Sequence, residues 1–369
     1  MSTLIGECPV CYQEMKMCLQ RGKSGEQEPI VKIDEICLDK ILKKFNVGIT
    51  VQQVLNAIEG QIINECLILK EDYYDQIQRW FSYQNKDKLI KSVIALRLRN
   101  VTKSMFYGKD NLTTVIMPEA VRIMHGNNLF WGAFENTSVK NCWFPKLLSV
   151  GDKAFECCKI KEINTENFPI LEQIGQRGFC QSPCTLVNLP NLLSVDQYAF
   201  FDCHFMRQFS AEKLQKIGDN CFYHSKELID IYLPNLIQIG ENGFYDCDIQ
   251  QFSAEKLKQI GKSCFCCCGK LTSINCELGE ENFICENYDG YRCRICPICK
   301  GQLTNCLKRG KIRGKLTKIK KIIIQRNQLI YSLKNQKQRQ VCQKEKLIVT
   351  EIEFQTIQTF FNELSIGLE

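Results

Sequence analysis

The sequence predicts a solenoid: short parallel strands stacked in about eight repeats of 21–24 residues, with a helical cap before them and a basic helical tail after them. Three observations predict it. Phenylalanines recur at positions 106, 134, 155, 179, 200, 222, 244 and 265, and all intervals but the first lie between 21 and 24 residues. An aliphatic residue stands five positions before each ring (Val101, Leu129, Val150, Ile174, Val195, Ile217, Ile239, Ile260), and glycine follows it at 151, 175, 218, 240 and 261. Three positions after the ring stands cysteine (Cys158, Cys203, Cys247, Cys268) or serine (Ser182, Ser225).

Each unit continues with a short alternating apolar segment, such as Leu228, Ile231 and Leu233, or Met206, Phe209 and Ala211. The last two of these positions lie two apart, on one face of an extended strand. Proline then ends the strand at 118, 145, 169, 190 and 234. In the unit of Phe155 the segment reads Ile163, Glu166, Phe168, which places a carboxylate in the middle slot. The aliphatic-glycine step reads as a turn, with glycine supplying positive φ. One such unit cannot bury its own apolar face, whereas stacked units cover one another. The unit of Phe106 lacks the glycine, and extra residues separate Ile123 from Phe134, so the register of the first two units stays open.

The repeat resembles the BspA-like leucine-rich repeat over residues 98–280. The best match runs from Leu236-Ile237-Gln238-Ile239-Gly240 through Phe244 to Cys247. Two alternating tails, Leu-Pro-Asn-Leu (189–192, 233–236) and Phe-Ser-Ala-Glu-Lys-Leu (209–214, 252–257), are similar to those of protist members. The resemblance implies a leucine-rich-repeat solenoid with a non-catalytic binding surface on its strand face. Alternation places Asp230, Tyr232, Gln250 and Gln251 on that face, where a protein partner would meet them.

The flanks divide into a cysteine-containing segment (1–27), a helical cap (28–97), a cysteine-rich junction (281–306) and a basic tail (307–369). In the cap, Ile33, Cys37, Ile41 and Phe45 fit one helix. Val51, Val54, Leu55, Ile58 and Ile62 fit a second behind Thr50, and Tyr73, Ile77, Trp80 and Phe81 fit a third. In the junction, Cys285, Cys293, Cys296 and Cys299 supply four thiols, and Cys296-Pro297-Ile298-Cys299 has the form of a zinc knuckle. Three readings stand: a structural zinc, a site split with Cys8 and Cys11, or loose thiols in a cap.

Residues 300–346 carry 15 Lys/Arg against Glu345 alone. A helix bearing Lys308, Arg309, Lys311, Arg313 and Lys315 suits an acidic partner, nucleic acid or an anionic surface. Ile352–Leu364 reads as a short amphipathic helix. The function expected is a protein-interaction scaffold. The alternatives are a nucleic-acid-associated protein held by the tail and a zinc-dependent adaptor suggested by Cys8 and Cys11.

Composition narrows the field further. Twenty-one Phe, 12 Tyr and 3 Trp exclude wholesale disorder. No apolar run is long enough to span a membrane. Three histidines (His125, His204, His224), with no nucleophile, phosphate-loop or zinc-protease motif, argue against an enzyme. The first residues have no secretory pattern, so the expectation is an intracellular, cytoplasmic protein whose 24 cysteines stay reduced.

Overall fold

The computed structural model describes residues 35–70, 89–125, 131–285, 293 and 295–335. The chain forms two compact units, one through Lys311 and one from Ile312 onward. The first holds the solenoid, and the second is described over the continuing helix to Asn335. The third cap helix, the Cys8/Cys11 segment and the Ile352–Leu364 helix lie outside the described residues.

The eight recurrent phenylalanines stack as one column. Successive ring centroids are 5.0–5.8 Å apart and the ring planes differ by 2–7°. All eight rings are fully buried. Phe106 and Phe134 sit in this column and Val101 pairs with Ile123, so the first two units are in register. The aliphatic slot of the Phe134 unit is therefore Ile123, not Leu129.

A second set of apolar side chains fills the space beside the column and balances volume rung by rung. Where the middle strand slot is Phe209 or Phe252, the slot two residues on is Ala211 or Ala254. Where it is Cys142, Ile163, Val187 or Ile231, the partner slot is Phe144, Phe168, Leu189 or Leu233. Wherever one of these slots holds a phenylalanine the other holds a smaller group, so none of these rungs carries two rings beside the column.

Three runs of hydrogen bonds join the rungs. The first lies at the aliphatic-glycine step, which forms an unbroken eight-stranded parallel sheet from Asn100–Val101 to Gln259–Ile260. The glycines there do not take positive φ. A Cβ at Gly151 would come within 2.5 Å of the Ile123 carbonyl oxygen, and one at Gly218 within 2.6 Å of the Asp196 carbonyl carbon. Glycine is needed because rung meets rung, which corrects the turn reading.

The second run follows the rings. Tyr198, Phe200 and Asp202 each donate an N–H to the next rung, to the carbonyls of Asp219, Cys221 and Tyr223, all at 2.9 Å. From Phe155 onward the residues two before and two after each ring have φ of 52–62°. Such left-handed residues are costly outside glycine, and here they turn alternate N–H groups toward the neighbouring rung.

The third run is the strand face, and it is broken. It comprises a five-stranded sheet from Gln61–Ile63 to Asn141–Trp143, a four-stranded sheet from Glu162–Ile163 to Asp230–Tyr232, and the pair Gln251–Ser253 with Ser273–Asn275. Both breaks fall where middle-slot residues are 21 apart, Cys142 to Ile163 and Ile231 to Phe252. Every step of 22 or more is paired.

In the Phe155 unit the middle slot is Ile163, paired with Val187, and not Glu166. The extra residues make an asparagine-held turn, with the Glu166 N–H donating to Asn164 Oδ1 at 2.9 Å and the Asn164 N–H to Asn167 Oδ1 at 2.8 Å. Glu166 is thereby expelled to solvent, where it pairs with Lys44.

The N-terminal cap is only partly helical. Helix α1 spans Glu35–Lys44 and α2 spans Val51–Asn56, the latter started by a capping box between Thr50 and Gln53. The second helix stops short of Ile62, because Gln61–Ile63 and Cys66–Leu69 form an antiparallel hairpin. Cys66–Leu69 then pairs in parallel with Ser92–Ala95, so the ladder begins some thirty residues ahead of residue 98 (roughly one rung and a connection). All four residues of each of these strands are buried. Leu67, Val93 and Val115 face the ring column, whereas Cys66, Ile68, Ile94, Ile116 and Trp143 face α1 and α2. Strands buried on both faces lose polar alternation, and so they escaped a period-two reading.

Candidate interaction face and cysteine cluster

Covering by α1 and α2 ends at Trp143. Beyond it, outward strand positions other than Leu186 turn polar: Glu162, Asn188, Gln208, Ser210, Asp230, Tyr232, Gln251 and Ser253. The open part of the strand face therefore starts at the first break in its ladder.

The second break opens a shallow cleft of about 370 Å³. Its lining includes Asp230, Tyr232, Gln250 and Gln251, together with Gln208 and Ile229. Tyr232 is 52% exposed and Ile229 41%. Gln208 Nε2 donates to Asp230 Oδ2 at 3.1 Å, which fixes the carboxylate at the cleft wall. Ile231, at the floor, is only half-buried because the next rung does not pair over it. Gln208 and Ile229 were not singled out from sequence, although alternation from Asp230 back one rung reaches Gln208. What the arrangement offers is an aromatic and an aliphatic surface, amides of both polarities, one carboxylate and two strand edges unpaired with each other.

The periodic cysteines are structural. Cys203 Sγ donates to the carbonyl of Phe179 at 3.3 Å, Cys247 to that of Phe222 at 3.1 Å, and Cys268 to that of Phe244 at 3.0 Å. Ser182 and Ser225 make the same bond to Phe155 and Phe200, both at 3.1 Å. This explains why cysteine and serine alternate there from Phe155 onward. Burial pushes the Cys158 thiol up to about 11 and the Cys66 thiol up to about 12. None of the 20 described cysteines is joined in a disulfide.

The junction cysteines form a different constellation. The sulfurs of Cys285, Cys293, Cys296 and Cys299 all lie within 4.8 Å of one another, a set that can hold a metal ion. Cys266 and Cys267, which follow Phe265 in the last ring unit, form a second group with Cys293. These two were missed from sequence because they lie inside a repeat. Cys293 and Cys296 are buried, Cys285 is half-buried and Cys299 exposed. Burial alone would raise the Cys293 thiol, but the amides of Ile295, Cys296 and Cys267, with the Cys296 thiol, bring it down to about 6.

The basic residues Lys308, Arg309, Lys311, Arg313 and Lys315 lie exposed on helix α3, Leu303–Asn335. Arg309 donates to its own helix at the Asn305 carbonyl, 3.2 Å away. Leu316 and Ile323 are also exposed, at 43% and 44%, so they form no buried seam. No helix among the described residues is long and apolar enough to cross a membrane.

A chain built of such rungs is a leucine-rich-repeat solenoid. The BspA type leucine rich repeat region matches in six copies over residues 41–133, 128–248 and 194–287, and the chain belongs to that family. No curated protein matches. Among solved structures, a leucine rich cell surface protein from Faecalibacterium prausnitzii is 23% identical, covering 50% of this chain and 44% of its own, with a TM-score of 0.34. A leucine-rich repeat protein from Eubacterium ventriosum is 14% identical over 56% of this chain and 65% of its own, with a TM-score of 0.37. The pneumococcal vaccine antigen PcpA is 14% identical over 51% and 62%, with a TM-score of 0.26. The chain thus spans less than two thirds of each of these proteins.

Proposed function

We propose that the chain is a non-catalytic scaffold that binds an extended segment of a partner protein on its open strand face, at the cleft between Tyr232 and Gln251. The observation that carries this reading is the coincidence of the ladder gap with the exposed Tyr232 and Ile229 and the oriented carboxylate of Asp230. Strand edges next to an aromatic anchor suit a peptide that adds main-chain hydrogen bonds and seats one apolar side chain. Asp230 favours a basic group beside that side chain. The periodic thiols support a reducing, intracellular setting, since those of Cys203, Cys247 and Cys268 act as S–H donors that a disulfide would remove.

Selection of peptides from a random library on the immobilised chain, with counter-selection on Tyr232→Ala and Gln250→Lys, tests this. Ligands that lose at least about tenfold in affinity on both variants, or about 1.4 kcal/mol, support the cleft. Ligands indifferent to both would overturn it. If retention instead tracks residues 307–346 and falls steeply with salt on a phosphate polymer, the tail is the binding element.

A further inference from the structure

The cysteines of the junction stand apart from the periodic ones in spacing and surroundings. The periodic thiols of Cys203, Cys247 and Cys268 each face a carbonyl of the preceding rung, and that of Cys158 faces the Ser182 hydroxyl. Cys285, Cys293, Cys296 and Cys299 face one another. Four thiolates around a tetrahedral zinc at about 2.3 Å stand roughly 3.8 Å apart, so sulfurs within 4.8 Å need only small movements to close on one ion.

Backbone amides reach two of the four sulfurs. The Cys299 N–H points at Cys296 Sγ from 3.4 Å, and the Cys267 N–H at Cys293 Sγ from 3.2 Å. Amide donors of this kind favour the ionised sulfur over the thiol. The turn that places Cys296 and Cys299 side by side closes with the Lys300 N–H on the Cys296 carbonyl at 3.1 Å and Gly301 at φ +67°.

Position gives the cluster a task. Cys285 follows the short turn Glu280–Asn282, and Phe283 there stacks below Phe265, with ring centroids 6.4 Å apart. After Cys299, α3 begins, and Leu303, Cys306 and Leu307 are buried in the main core. Gly310 lies against the Ile274 carbonyl with no room for a Cβ. The described residues that flank the cysteines, Phe283 before them and Leu303, Cys306 and Leu307 after them, therefore cover the last rung, whose apolar face would otherwise meet water.

We propose that Cys285, Cys293, Cys296 and Cys299 bind one structural zinc ion that fastens the C-terminal cap to the final rung. Four sulfur ligands favour zinc over calcium or magnesium, which need oxygen. A four-cysteine shell leaves no open position for chemistry, so the role is structural. Each thiol still protonated at the time of binding releases its proton to solvent. Cys266 lies outside this set, yet its sulfur is 2.8 Å from that of Cys285. It is the natural competitor for Cys285: a two-electron oxidant such as a peroxide would join the two sulfurs in a disulfide, with loss of both thiol protons, and dismantle the site.

The test uses the full chain, purified under reducing conditions without chelator. Elemental analysis should find one zinc per chain. The metal-depleted chain titrated with cobalt(II) should give the visible absorption of a tetrahedral thiolate site, bleached by zinc. Cys299→Ser, at an exposed position, should lose most of the bound zinc and melt several degrees lower, whereas Cys157→Ser should keep the metal. Absence of zinc together with no tetrahedral cobalt spectrum in the unaltered chain overturns the proposal, whether or not the variants fold. So does zinc retained equally by Cys299→Ser and Cys296→Ser, or a Cys266–Cys285 disulfide found in the reduced preparation by peptide mapping.

Discussion

Two parallel ladders run along the same solenoid and behave differently. The ladder at the aliphatic-glycine step continues through eight strands, although each strand is only two residues long. The ladder of the strand face has strands of up to four residues, yet it breaks twice. Length of strand therefore does not decide continuity. The glycine step is short and held by close backbone contact with the preceding rung, which fixes its register. The strand face follows a segment of variable length, and one missing residue there is enough to uncouple it. The continuous ladder holds the stack together, and the interrupted one is left free to vary its outward side chains.

The largest effect should come from the column that both ladders enclose. Phe222→Ala removes a ring stacked at 5.6 and 5.0 Å on its two neighbours, and should cost about 3–5 kcal/mol in denaturant unfolding. If the loss is below about 1 kcal/mol, the rungs do not depend on the column. Next, Gly218→Ala on the continuous ladder should cost about 1–3 kcal/mol from overpacking against the Asp196 carbonyl carbon. Gln251→Ala at the gap should stay within about 0.5 kcal/mol. Equal costs would erase the distinction between the ladders.

Alkaline pH should act on the buried thiols. Their folded values lie above the unfolded value near 9, so the stability they contribute is complete below pH 9 and is lost as pH rises through about 11 for Cys158. Melting temperature should be level from pH 7 to 8.5 and fall above it. A flat profile to pH 11 would show that the thiols are not sequestered. The mildest prediction concerns the gap itself. Inserting one residue between Asp248 and Ile249 makes the step from Ile231 22 residues. Slower amide exchange at Gln251–Ser253, with loss of ligand capture at Tyr232, is expected. Unchanged exchange would mean that step length does not set the break.

The ring column was legible because one large residue type recurs at nearly constant spacing, and only a stack satisfies that. The two-residue strands beside it were not, since two residues carry no period. The extent of α2 was overread because Ile58 and Ile62 continue a helical spacing that the hairpin at Gln61–Ile63 overrides. Glu166 was placed in the core because sequence shows only its distance from Phe168, whereas the turn at Asn164 decides which residues belong to the strand. The four junction cysteines could be grouped because they lie close in sequence. Cys266 and Cys267 could not, since folding brings them there from within a repeat. Asp230, Tyr232, Gln250 and Gln251 followed from alternation, while the cleft they line depends on counting steps between rungs.

The pairing of Phe209 with Ala211, and of Ile231 with Leu233, has a consequence for how such a protein can grow. A rung that balances its own bulk constrains the next through the shared ring column, where Phe209 lies 4.8 Å from Phe222, and through its spacing. A segment that keeps its ring and its spacing arrives already filled. A switch such as Phe209→Val should be tolerated when Ala211→Leu accompanies it, so that innovation proceeds by swapping whole pieces while the outward residues are rewritten at leisure.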